Sequence, residues 1–152
     1  MSRLVPAELK RLTKAATKAR DNAYCPYSNH PVGAAIQSES GKVFIGCNVE
    51  NAHYNCTHAE ASAISAMVAA GARRIKAIVI IGPSSEYLCT PCGDCRQRIR
   101  EFSDGKVKVY CLWKSGRLGK VYDFDDLLPD SFGPENLAEL GKGPKTKKKP
   151  AK

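Results

Sequence analysis

The chain has 152 residues, of which 43% are hydrophobic and 26% charged, and it carries a formal net charge of +9. That is the composition of one soluble globular domain with a proper core, and no apolar run approaches the ~20 residues needed to span a bilayer. The seven cysteines are odd in number, and "MSRLVPAELKRLTKAATKAR" lacks the apolar stretch and cleavage site of a secretory signal, which argues against a secreted disulfide framework and for a cytoplasmic protein.

In chain order, "PAELKRLTKAATKARDNAY" predicts an amphipathic helix with Leu9, Leu12, Ala16, Ala19 and Ala23 on one face. "PVGAAIQSE" and "KVFIGCNVE", separated by "SGK", predict a β-hairpin. A helix then runs from about His58 to Ala70 and is stopped by Gly71. "IKAIVIIG" (75–82) is a continuous apolar run suited to a strand buried on both faces. "SSEYLCTPCGDC" is a loop, with Pro91 expected in the first turn of a helix that reaches about Phe102. "KVKVYCLW" (106–113) predicts a further central strand and "KVYDF" a fifth, followed by an irregular end. The order α-β-β-α-β-α-β-β implies an α/β fold, a sandwich with a mixed five-stranded sheet. The last twelve residues, "GKGPKTKKKPAK", hold six lysines and no acid. We read them as a Lys-rich disordered tail (141–152) following a single domain (1–140). Six of the nine net charges belong to it, so a role in binding nucleic acid is one reading and a solvated extension the other.

Two helix starts carry the residues with chemistry. His58 lies after the strand at 43–49, and Cys92 and Cys95 lie after the strand at 75–82. Ligands collect at adjoining strand-to-helix junctions of open α/β sheets, and helix dipoles there favour thiolates. One imidazole and two thiolates suit a single Zn²⁺ with its fourth position left to water, whose pKa falls toward ~7. Glu60, two residues past His58, is placed to shuttle protons without binding the metal. The competing reading is a closed structural site that recruits Cys89 or Cys56, in which Glu60 would have no part to play. Cys25, Cys47 and Cys111 are expected to be small buried residues.

His58-Ala59-Glu60 followed by Pro91-Cys92-Gly93-Asp94-Cys95 matches the H-x-E and P-C-x-x-C pattern of zinc nucleobase deaminases. With "PYSNHPVGAAI", "GCNVENAHY", "HAEASAI", "PCGDCRQ" and "LLPDSFGPENL", the chain resembles the cytidine deaminase family in its short-chain, usually homotetrameric form, over about residues 6–140. The resemblance implies a three-layer α/β/α sandwich and hydrolysis of cytidine or deoxycytidine to the uridine form in pyrimidine salvage, by zinc-bound hydroxide attacking C4. It makes His58, Cys92 and Cys95 the ligands of one zinc per subunit and Glu60 the proton shuttle. Asn48 and Glu50 match the pair that binds the ribose hydroxyls, and the Ala59 N–H matches the donor to the pyrimidine carbonyl. Phe132 matches an aromatic inserted into a neighbouring subunit's site.

Three departures bear on substrate. His30 stands where the family usually has a Phe beside the base. Only three residues separate Tyr54 from His58, one fewer than the family spacing. Many short-chain members have Cys-Ala-Glu-Arg where this chain has His58-Ala59-Glu60-Ala61, so a thiolate and the Arg that offsets its charge are absent together. The first two leave open a related substrate, such as a nucleoside antibiotic of the blasticidin S kind or a modified nucleoside.

Overall fold

A computed structural model describes residues 3–104 and 106–138. The Lys-rich tail, and with it the expected domain boundary, lies outside the described residues. The first helix, α1 (Pro6–Asp21), opens with Pro6 at a position where no helical N–H is needed. The Glu8 carboxylate accepts from the Val5 N–H at 3.3 Å, while Lys18 and Arg20 occupy the last turn, where the helix dipole favours cations. Leu12, Ala16 and Ala19 are buried as expected. Ala23 falls beyond the helix, which ends at the C-cap Asn22.

The hairpin strands are β1 (Gly33–Ser38) and β2 (Val43–Cys47), turned at Gly41 with φ +81°. Helix α2 (Ala59–Ala69) leads to β3 (Ile75–Ile81), and α3 (Gly93–Glu101) to β4 (Lys108–Leu112) and β5 (Leu118–Asp123). The expected irregular end holds two short helices, α4 (Phe124–Leu127) and α5 (Pro134–Ala138). Pro91 lies outside α3, whose N-cap is Cys92. A proline there ends the extended approach to the helix and lets the thiol residue occupy the cap.

The sheet order is β2-β1-β3-β4-β5, with only β3 and β4 parallel. Alternation along the strands divides the core into two layers. Ala34, Ile36, Ile78, Ile80, Val109 and Cys111 pack with Ala59, Ala63 and Met67 of α2 and Ile99 of α3. Ala35, Ala77, Val79, Ile81, Tyr110 and Leu112 pack with Leu12 and Ala16 of α1 on the opposite face. The result is a three-layer α/β/α sandwich. Each buried Ile of β3 contributes roughly 1.5–3 kcal/mol of transfer free energy. Of the three cysteines expected to be buried, Cys111 is, inside β4, whereas Cys25, in the connection between α1 and β1, and Cys47, the last residue of β2, are half-buried.

Candidate active site and metal centre

Gly33, the first residue of β1, pairs with Cys47 on one side and Ile81 on the other. The two ligand-bearing strand ends are therefore not adjacent, as their order in the chain suggests. The antiparallel β1 lies between them and brings its own approach segment, His30 to Val32, to the same edge. Gly46 sets the start of α2. A Cβ there would sit 2.4 Å from the Ala59 carbonyl oxygen and from the Ala63 nitrogen, so the helix backbone rests directly on the strand.

The cavity at this edge, about 400 Å³, is lined by His58, Cys92, Cys95, Glu60, Ala59, Asn48, Glu50 and His30. Phe132 does not line it. Ser28, Cys56, Cys89 and Thr90 do, and sequence reasoning assigns them no role in an open site. Ser28 sits within "PYSNHPVGAAI", so its proximity is signalled by the motif although its function is not.

His58 and Cys92 are the N-caps of α2 and α3, each extended (ψ 157° and 173°), and neither side chain caps its own helix. Both are thereby free to face the cavity. His58 Nδ1 lies 3.2 Å from Cys95 Sγ and 3.3 Å from Cys92 Sγ, and the three donor atoms lie within 4.8 Å of one another. One imidazole N–H cannot serve two sulfurs well. A tetrahedral Zn²⁺, with Zn–N near ~2.0 Å and Zn–S near ~2.3 Å, separates nitrogen and sulfur by ~3.5 Å and engages all three. The donor set fits zinc. Among the described residues this is the sole cluster of three or more metal-ligand types. Cys89 and Cys56 stay outside it, so the closed structural site gains no fourth ligand. Burial, with Glu60 and Cys92 nearby, raises the Cys95 thiol well above its ordinary range. A divalent cation is what would hold it as thiolate.

Glu60 is 5% exposed. Burial raises its carboxyl above the usual range, opposed by its own backbone N–H, the Cys95 thiol and His58. A carboxylate in that setting readily takes a proton. The Ala59 N–H, first of α2, has no intrahelical acceptor.

Asn48 is buried and braces the segment opposite. Its Oδ1 accepts from the Val32 N–H at 2.8 Å, and its Nδ2 donates to the His30 carbonyl at 3.0 Å. Glu50 accepts from the Tyr27 and Ser28 N–H groups at 3.0 and 3.2 Å and from the Ser28 hydroxyl. The Ser28 hydroxyl, aided by those two N–H groups, holds its carboxyl below the usual range. A second cavity of about 280 Å³ continues past Glu50, walled by Tyr27, Tyr54, Asn51 and Asn55.

Phe132 is 58% exposed. Its carbonyl accepts from Gln97 Nε2 at 3.0 Å, and Arg100 of the same helix donates to Ser131 Oγ at 2.8 Å and pairs with Glu135. The aromatic is therefore not buried in its own core.

The profile of the cytidine and deoxycytidylate deaminase zinc-binding region matches residues 6–111. The cytidine deaminase of Sporosarcina psychrophila is 39% identical over 132 residues, covering 86% of this chain and 96% of that one. The crystal structure of cytidine deaminase from Burkholderia pseudomallei superposes with a TM-score of 0.75 at 43% identity, covering 81% of this chain and 98% of that chain. The cytidine deaminase structure from Mycobacterium tuberculosis gives 0.71 at 34%, covering 86% and 99%. With the matched profile taking in both halves of the metal centre, the chain belongs to the cytidine and deoxycytidylate deaminase family.

Proposed function

We propose that the chain hydrolyses the 4-amino group of cytidine and deoxycytidine, leaving uridine or deoxyuridine and releasing ammonia. The observation that carries this is the convergence of His58 Nδ1 with two cysteine sulfurs beside a buried glutamate. His58, Cys92 and Cys95 would hold zinc, which would supply a water activated at neutral pH. Glu60 takes one proton from that water and delivers it to N3. It then takes the proton of the hydroxyl added at C4 and delivers it to the departing amine as the C4 carbonyl forms, work worth ~10²–10⁴-fold. The Ala59 N–H orients the pyrimidine carbonyl. Asn48 and Glu50 bind the sugar hydroxyls, and a site built for those partners discriminates against analogues lacking them. His30 flanks the base.

The cavity favours nucleosides over nucleotides. Among the described residues no Lys or Arg lines it, and the carboxylate of Glu50 stands at the end assigned to the sugar. A phosphate would meet repulsion without a cation to offset it. The second cavity past Glu50 favours one further reading, turnover of a cytosine nucleoside bearing a side arm on its sugar. Loss of cytosine absorbance should be followed with cytidine, deoxycytidine, free cytosine, deoxycytidylate and blasticidin S side by side. Cytidine or deoxycytidine is expected to give the highest kcat/KM. Preference for deoxycytidylate would overturn the nucleoside assignment.

We place the reaction in the cytoplasm, in the recycling of pyrimidine nucleosides, with the chain working as a homo-oligomer, a tetramer by its likeness to the short-chain family. The half-buried or exposed rings of Tyr24, Tyr27, Tyr54 and Phe132 support association. Among the described residues no helix is long and apolar enough to cross a membrane. Binding of nucleic acid by the lysine tail concerns residues outside those described.

A further inference from the structure

We propose that Arg96 is a positioning residue for the metal ligand Cys92, locking the thiol's backbone to the C-terminal part of the chain. The inference rests on reading Cys92 as a ligand. The backbone N–H of Arg96 donates to the Cys92 carbonyl at 2.9 Å. Its side-chain Nε donates to the Pro91 carbonyl at 2.8 Å, and Nη1 donates to the Leu127 carbonyl at 2.9 Å. One residue thus holds both peptide planes that flank the Cys92 Cα. Those two planes define φ and ψ of Cys92, and with them the direction of its Cα–Cβ bond.

The need for such a clamp is local. Pro91 is buried but precedes α3, so the helix ladder, which begins at the Cys92 carbonyl, offers its carbonyl no donor. A buried carbonyl requires one. Cys92 itself is exposed, and its side chain makes no capping bond that would fix it. Cys95, by contrast, is buried within the helix and held by packing. At the equivalent place in α2, Ser62 makes a comparable pair of bonds. Its N–H donates to the His58 carbonyl at 2.9 Å and its Oγ to the Cys47 carbonyl at 3.0 Å. The fourth residue after each capping ligand therefore ties that ligand's backbone to a neighbouring element. Arg96 also reaches Leu127 at the end of α4, so the ligand loop and the segment leading to Phe132 share one anchor.

The test compares Arg96→Gln with Arg100→Gln, which removes contacts to Ser131 and Glu135 from the same helix but touches neither peptide beside Cys92. Zinc affinity by chelator competition and the thiolate charge-transfer absorption of the Co²⁺-loaded protein are the readouts. Wild type must first show that absorption; its absence would refute Cys92 as ligand, separately from any role of Arg96. Arg96→Gln is expected to weaken zinc roughly 10- to 100-fold and to alter the Co²⁺ spectrum, with Arg100→Gln changing affinity less than about threefold. Arg96→Lys, which keeps one donor, should fall between and substitutes for Arg96→Gln if that variant does not fold. Equal weakening by the Arg96 and Arg100 variants, or an unchanged spectrum in the former, overturns the proposal.

Discussion

The side-chain amide of Asn48 is committed on both edges before any substrate arrives, accepting from Val32 and donating to His30. Truncation would leave the Val32 N–H and the His30 carbonyl, both in part-buried bonds, without these partners, at up to ~1–3 kcal/mol each. We expect Asn48→Ala to lower the free energy of unfolding by ~2 kcal/mol in urea titration and to raise KM for cytidine. Asn48→Asp, nearly isosteric, keeps the acceptor for Val32 but turns an oxygen toward the His30 carbonyl, so it should be no better. Wild-type stability in Asn48→Asp would show that the brace is not made as described. His58 permits a second argument at this scale. Zn²⁺ with one neutral imidazole and two thiolates sums to zero, whereas a third thiolate makes it −1 and a poorer Lewis acid. His58→Cys is therefore expected to keep zinc yet lose at least ~10²-fold in kcat/KM, the equivalent of ~2.7 kcal/mol. Ala61→Arg, added to that variant, should restore part of the loss while giving no gain alone. Strict additivity in this double-mutant cycle would remove charge balance as the reason for His58.

Among elements, the contact of α2 with β2 fixes where Ala59 and Glu60 stand. A methyl group at Gly46 meets backbone atoms at 2.4 Å, which cannot swing aside. Gly46→Ala should cost ~1–3 kcal/mol of stability and reduce turnover as the first turn of α2 moves. At Gly93, opening α3, an added Cβ meets nothing within 4 Å, so Gly93→Ala should cost no stability. Thermal melts of both variants decide this: equal melting temperatures would mean that the helix yields. The same junctions show how far the sequence could be read. His58, Glu60, Cys92 and Cys95 were legible because each depends on a short local pattern at a helix start. The intervening β1 was not, since strand neighbours depend on pairings remote in sequence. Nor was the bond of Arg96 to Leu127, which joins residues 31 apart. Helices α4 and α5, four and five residues long, are too short to show a period.

For the whole molecule, the decisive question is which chain's site receives Phe132. The residue is exposed, does not line its own cavity, and is carried on a segment fastened to α3 by Gln97 and Arg100. An anchored backbone beneath an exposed ring favours insertion into a second copy, because less backbone freedom then remains to be lost. If the ring packs on the base in a neighbour, its removal should forfeit the ~1–3 kcal/mol typical of base–aromatic stacking, raising KM roughly 5- to 150-fold. Phe132→Ala alone cannot tell a neighbour's site from its own. Co-expression with Glu60→Gln can. In a chain acting alone, neither variant holds both groups, and the mixture should be no more active than its parts. In an oligomer with exchanged rings, a Phe132→Ala site retains Glu60 and receives Phe132 from the Glu60→Gln chain, so the mixture should regain a substantial fraction of wild-type kcat/KM. The solution mass of the wild-type protein should be a multiple of the single chain. Absence of complementation, or a fully active monomer, would return Phe132 to a role within its own subunit.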